Sequence, residues 1–147
     1  MRIYLDNCVF NRPFDTQQQI RIRLEAEAKL YIQQRIRDGS LELAWSYMLD
    51  LENEQNPFHE RRMAIARWAN LAVIDVVESP AIIAFAKQLA HLGVKPKDAL
   101  HVASAVAGKA EYFVTTDDKL LKKLRDVPEC HAITPIDFLV KIDDRND

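Results

Sequence analysis

Short runs of β-forming residues alternate with helical segments along the whole chain, and the junctions between them carry helix-start signals. Asn56 and Pro57, Ser79 and Pro80, and Thr134 and Pro135 each set a capping side chain ahead of a proline, which has no N–H to lose in a first helical turn. Residues 3–5, the alternating Leu41, Leu43 and Trp45, residues 73–77 and residues 112–115 read as strands, with an edge strand at Ala132 and Ile133. Between them fall a long helix over 17–37, apolar at Ile20, Leu24, Tyr31 and Ile32, and a helix capped by Ser46 that carries Met48, Leu51 and Glu52. Further helices are predicted from Asn56 to Asn70, from Ser79 to Gly93, from Pro96 to Gly108, behind a Thr116 cap and from Thr134 onward. Such an order gives an α/β domain with a mostly parallel central sheet flanked by helices.

The 147 residues, 48% of them hydrophobic, suffice for one domain with a real core. That domain is expected to span 1–142, with a frayed tail at 143–147. The longest apolar stretches, 81–86 and 99–107, fall well short of the roughly 20 residues that cross a bilayer. With no apolar secretion core at the start, a cytoplasmic location is expected. Cys8 and Cys130 stand alone and read as buried thiols. A net charge of −2 excludes a general electrostatic pull on nucleic acid. Basic residues do gather at Arg21, Arg23, Arg35 and Arg37 and at Lys119, Lys122, Lys123 and Arg125, but each patch alone reads as a solvated helix face.

In an open parallel sheet, ligands bind in the crevice past the carboxyl ends of the strands. Asp6 follows the first strand and Asp117 the fourth; Asp98 opens the helix that leads into the fourth, which begins on the same edge. Glu52 lies in the second turn of the helix leaving the second strand, on the side of Met48, whereas Asp50 and Glu54 share another face. Each acid has an innocent reading. Asp6 can satisfy turn amides, Asp98 and Asp117 can stabilise helix starts, and Glu52 can pair with Arg12. Only the joint position of all four points to chemistry. Two carboxylates about 4 Å apart repel by roughly 4 kcal/mol at an effective dielectric near 20, so a shared crevice calls for protonation or a cation. Oxygen-only donors suit Mg2+ or Mn2+, and no His or Cys pair has the spacing zinc requires. His101, one turn after Asp98, reads as a half-buried structural histidine, with a base or water-holding role as the alternative. Tyr4, Tyr47 and Phe14 read as core.

The segments "IYLDNCVFNRPFD", "SYMLDLENE", "KPKDALHVASA" and "YFVTTDDKLL" together resemble the ordered acidic motifs of PIN domains. The resemblance implies a magnesium- or manganese-dependent ribonuclease, with Asp6, Glu52, Asp98 and Asp117 at the acidic positions and Thr115 or Thr116 as the polar residue beside the last acid. It also implies a VapC-like toxin, neutralised by an antitoxin protein and often dimeric, with RNA as substrate. The chain departs from the pattern at one point. Asn7 follows Asp6 directly, and Cys8 stands where Asn is usual. A non-catalytic nucleic-acid-binding module and a phosphoesterase for small substrates are the alternatives, the latter without an Asp-x-Asp nucleophile.

Overall fold

The computed structural model describes residues 1–146, with side chains through Asp143. Its centre is a five-stranded, all-parallel sheet in the order β3-β2-β1-β4-β5, formed by β1 (Arg2–Leu5), β2 (Glu42–Ser46), β3 (Ile74–Val76), β4 (Tyr112–Val114) and β5 (Ala132–Ile133). The helices are α1 (Asn7–Asn11), α2 (Ile20–Arg37), α3 (Tyr47–Glu54), α4 (His59–Ala66), α5 (Pro80–His91), α6 (Pro96–Ala107), α7 (Asp118–Leu124) and α8 (Pro135–Asn146). Chain order runs outward from β1 through β2 to β3, then returns across the sheet to β4 beside β1. The topological switch point therefore lies between β1 and β4, where parallel sheets open a ligand crevice.

The central strands are covered on both faces, so apolar residues run almost without interruption: Ile3, Tyr4, Leu5, Leu43, Ala44, Trp45, Phe113 and Val114 are all buried. Several expected caps are in place. Ser46 Oγ accepts from the N–H groups of Met48 and Leu49, Ser79 Oγ from Ile82 N–H and Thr134 Oγ1 from Asp137 N–H. Other expectations are corrected. Asn56 Oδ1 binds Phe58 N–H instead of capping, so α4 begins at His59, and its end tightens into a 3-10 turn over Arg67–Leu71. Asp117, not Thr116, caps α7, its Oδ1 accepting from Lys119 and Leu120 N–H. The helix α1 and the 3-10 turn Arg12–Phe14 behind it were not foreseen.

The largest correction concerns α2. Ile20, Leu24 and Tyr31 are exposed, and the buried face instead reads Glu25, Ala28, Lys29, Ile32 and Ile36. The small alanines admit close packing against neighbouring elements such as α8, and the buried charges are met by partners. Glu25 pairs with Arg12 at 3.0 Å and Arg21 at 3.4 Å, while Lys29 donates to Gln33 and lies over the Trp68 ring at 5.0 Å. Burial, with Arg37 nearby, pulls the Lys29 pKa down to about 8. At the other end of the chain, α8 runs to Asn146; Asp147 and the side chains after Asp143 of the expected frayed tail lie outside the described residues.

Gly108 closes α6 where a Cβ would stand 3.0 Å from Val76 Cγ2 and 3.3 Å from the Ser104 carbonyl oxygen. Valine is stiff at χ1 and the carbonyl is fixed in the helix, so neither neighbour yields cheaply. Gly108→Ala is expected to cost about 1–3 kcal/mol, as overpacked sites do, measured by urea unfolding. A variant as stable as the parent would show that β3 shifts freely against α6.

Candidate active site

Asp6 ends β1 at the switch point, and its N–H continues the ladder by donating to Val114 of β4 at 2.9 Å. Its carboxylate is buried and held by neutral donors. Oδ1 accepts Asn7 N–H at 2.8 Å and so caps α1; Oδ2 accepts the Thr115 hydroxyl at 2.8 Å and lies 3.5 Å from Cys8 Sγ. The Cys8 thiol thus fills the place next to Asp6 that the usual asparagine would hold. It also meets Thr115 Oγ1 and Thr116 N–H, each at 3.5 Å, and burial followed by the Asp6 charge pushes its pKa up to about 12. Such a thiol is a neutral packing group; Cys130 is buried as the sequence suggested, and Cys8 is partly buried.

Glu52 faces the same crevice from α3 because Met48, one turn earlier, is buried beneath the helix. Its Oε1 lies 2.6 Å from His101 Nε2. Burial raises the Glu52 pKa, but the His101 contact, Lys97 and a hydrogen bond from the Asn7 amide outweigh it and leave the net shift downward. His101 is fully buried, not half-buried, and its Nδ1 lies 2.6 Å from the Tyr4 hydroxyl, which in turn is 2.6 Å from Ser46 Oγ. With Glu52 ionised, Nε2–H donates to it, and the chain of contacts continues from Nδ1 through the Tyr4 hydroxyl, which carries its own proton, to Ser46 Oγ. Burial holds the Tyr4 pKa well above its usual value and so keeps that proton in place. Tyr4, assigned to the core from the sequence, is therefore also a positioning residue: it orients the histidine that orients Glu52. Its place two residues before Asp6 was the available signal.

Asp98 lies half-buried in the first turn of α6. Its pKa is raised by burial first, then by the charges of Asp6 and Asp117, with Glu52 adding to them against the pull of His101. Asp6 is raised likewise, by burial and by Glu52, against His101, Thr115 and Asn7. Asp98 thus lies in the field of the other three acids. Asp117 is exposed, uses Oδ1 for its cap, and receives Thr115 Oγ1 on its own N–H at 3.2 Å. Asp118 points elsewhere, in a two-oxygen grip by Arg21 at 2.7 Å per contact. Arg12, the rival partner for Glu52, binds Asp15 and Glu25 and takes no part. Asp50 accepts from the Trp45 indole at 2.9 Å, and Glu54 is exposed.

Among the described residues no three His, Cys, Asp or Glu side chains close around one point. The donor set nonetheless fits a hard divalent ion, since Mg2+ keeps several waters and takes only one or two carboxylates directly. Asn7 Oδ1 adds a buried acceptor with no hydrogen-bond partner beside Asp6 and Glu52.

With this geometry in view, comparison with known proteins is decisive for the family. The PIN domain model matches residues 3–127. The chain belongs to the PIN domain family. The sequence matches no curated protein. Similar solved structures include VapBC2 from Rickettsia felis bound to a DNA fragment from their promoter, at 13% identity and a TM-score of 0.61, covering 91% of this chain and 98% of that one. FitAcB from Neisseria gonorrhoeae is similar at 13% identity and 0.56, covering 90% and 97%. DNA-bound VapBC from Salmonella typhimurium is similar at 16% and 0.54, covering 92% and 98%. At these identities the likeness establishes a shared PIN fold. No helix among the described residues is long and apolar enough to cross a membrane.

The Asp98 environment sets a pH dependence. Its folded pKa lies above the unfolded value, so the native state binds the proton more tightly, and this acid's contribution to stability falls as pH rises through that window. Glu52, shifted down, acts in the opposite sense. Asp98→Asn is therefore expected to stabilise the metal-free PIN domain at neutral pH by about half a kcal/mol, a small gain because the carboxyl is half-solvated and screened. The gain should vanish below the ordinary carboxylate range. A calorimetric midpoint that falls at neutral pH would mean that Asp98 is held by native donors and not repelled by its neighbours.

Proposed function

We propose that this PIN domain is a metal-dependent ribonuclease in which Asp6, Glu52, Asp98 and Asp117 hold Mg2+ or Mn2+ and RNA phosphodiester bonds are hydrolysed. The observation that carries the reading is the meeting of carboxylates from four separate parts of the chain at Asp98, whose pKa is raised by burial and then by the charges of Asp6, Asp117 and Glu52. A fold built only for stability gains nothing from such repulsion. A divalent ion offsets it, lowers the pKa of a water at neutral pH and neutralises charge on phosphate oxygens. The protein's own contribution is positional. Thr115 and Asn7 N–H fix the Asp6 carboxylate, the Ser46, Tyr4 and His101 relay fixes Glu52, and Asp117 and Asp98 border the opening. Thr116 lends its N–H to Cys8, leaving Thr115 as the polar partner of the acids.

The similar VapBC and FitAcB assemblies, together with the VapC-like motif order, support a cytoplasmic toxin restrained by an antitoxin protein, with a homodimer as the assembled form. The spread of the acids, with no three closed around one point, is also what a nucleic-acid-binding PIN module without turnover would show. Cleavage of RNA separates the two.

Glu52→Gln keeps the shape of the side chain and removes its charge, so the rate on a labelled RNA should drop by roughly a hundredfold or more, the scale of a lost electrostatic group in an active site. Asp50→Asn and Glu54→Gln should stay close to the parent, apart from a small loss of stability at the Trp45 contact. Inactive Asp50→Asn beside active Glu52→Gln would overturn the assignment. Millimolar manganese should raise the parent's thermal midpoint by mass action and raise that of Asp98→Asn much less. Equal shifts in both proteins would place the ion elsewhere.

A further inference from the structure

A cleft of about 390 Å³ opens beside Glu52, lined also by Asn7, Asp15, Asn56, Phe58 and Arg61. Phe58 is 54% exposed, although a large aromatic ring in a small domain is ordinarily covered. The Arg61 guanidinium lies 4.0 Å from its ring centroid and 5.8 Å from that of Phe14. The Arg61 side chain makes no ion pair or hydrogen bond among the described residues, in contrast to those of Arg12, Arg21 and Arg62. The loop that carries Phe58 is pinned and so presents the ring in advance. Asn56 Oδ1 accepts Phe58 N–H at 3.0 Å, Asn56 Nδ2 donates to Asn11 Oδ1 at 3.3 Å, and Arg62 Nη1 donates to the Asn56 carbonyl at 2.9 Å.

An open aromatic face backed by an unpaired guanidinium is the pairing that takes a single-stranded nucleotide, the base by stacking and the phosphate by charge. The cleft lining is polar and offers no broad apolar surface of the kind that seats a protein side-chain cluster. We infer that Phe58 and Arg61 form a nucleotide subsite, stacking an unpaired base of an RNA strand whose neighbouring phosphate lies toward Glu52, the proposed metal ligand that lines the same cleft. This assignment rests on the ribonuclease reading for the identity of the strand and on the cleft itself for the stacking site. The acids repel a polyanion, and Arg61 supplies a compensating cation within the same cleft, which a chain of net charge −2 otherwise lacks in bulk.

The test compares the full chain with Phe58→Leu, Phe58→Tyr and Arg61→Gln for binding, by fluorescence anisotropy in EDTA, of a short labelled single-stranded RNA and of the same strand made abasic at internal positions. The parent should bind the strand with bases roughly tenfold or more tightly than the abasic one, the scale of a single stacked base. Phe58→Leu should lose most of that discrimination and Phe58→Tyr should keep it. Arg61→Gln should weaken both strands and reduce the salt slope by about one. Circular dichroism verifies folding. Unchanged discrimination in folded Phe58→Leu overturns the subsite, as does a parent that binds neither strand, the result expected if this face serves a protein. Cleavage is followed in parallel. Normal cleavage with Phe58-independent binding defeats the subsite alone, whereas Phe58-dependent base discrimination without cleavage by the parent supports the subsite and defeats the nuclease reading alone.

Discussion

The pairing of β1 with β4 is the constraint on which the rest of the molecule depends. These two strands are remote in sequence, yet Ile3, Tyr4 and Leu5 lie opposite Tyr112, Phe113 and Val114, and the ladder is extended one step further by Asp6 N–H. That last step brings a carboxylate and the Thr115 hydroxyl to 2.8 Å at the only place in this sheet where the strand order reverses. Because β4 is short, its register leaves little room for slippage. A shift of one residue would turn Phe113 onto the opposite, differently packed face of the sheet and carry Thr115 and Asp117 away from Asp6. Stability and site assembly therefore act through the same hydrogen bonds.

The second coupling runs through the protein interior. Tyr4 stacks on Phe113 at 5.6 Å between ring centroids, and its hydroxyl engages both the α3 cap at Ser46 and His101 from α6. A residue of the central strand thus ties together two helices from different crossovers, and Glu52 is aimed by way of His101. Fully satisfied buried networks of this kind rigidify a site, whereas removing one member leaves the others with unmet polar atoms.

Much of this was legible in the sequence. The strand and helix order, the caps at Ser46 and Ser79, and the inward placement of Glu52 relative to Asp50 and Glu54 follow from local patterns that tertiary packing left intact. What escaped did so for identifiable reasons. The α1 helix is five residues long, too short to show a period. The buried face of α2 was misread because Glu25 and Lys29, which usually face water, are buried with partners, while Ile20 and Tyr31 are not needed for the core. Arg12 was matched to the wrong acid for the same reason, since its true partner was a buried glutamate that no periodicity marks. Asp50 is paired, as expected, but with an indole and not an arginine.

Glu25 and the crevice acid Asp6 are buried with different partners. Glu25 is 1% exposed and is answered by two arginines, an arrangement that closes its electrostatics within the protein. Asp6 is nearly as buried and has no Lys or Arg among its contacts; it is held by a hydroxyl and a backbone N–H, and a further carboxylate raises it. The chain had the means to neutralise Asp6 as it neutralised Glu25. Arginines stand nearby on α2 and α4, yet they are directed to Glu25, to Asp118 or over aromatic rings. A cationic side chain placed among the crevice acids would remove the repulsion and also occupy the position from which a small cation and a phosphate can approach. Leaving that negative field without an arginine in contact costs folding stability, which the β1 and β4 core must supply, and it is this cost that the proposed divalent ion would offset.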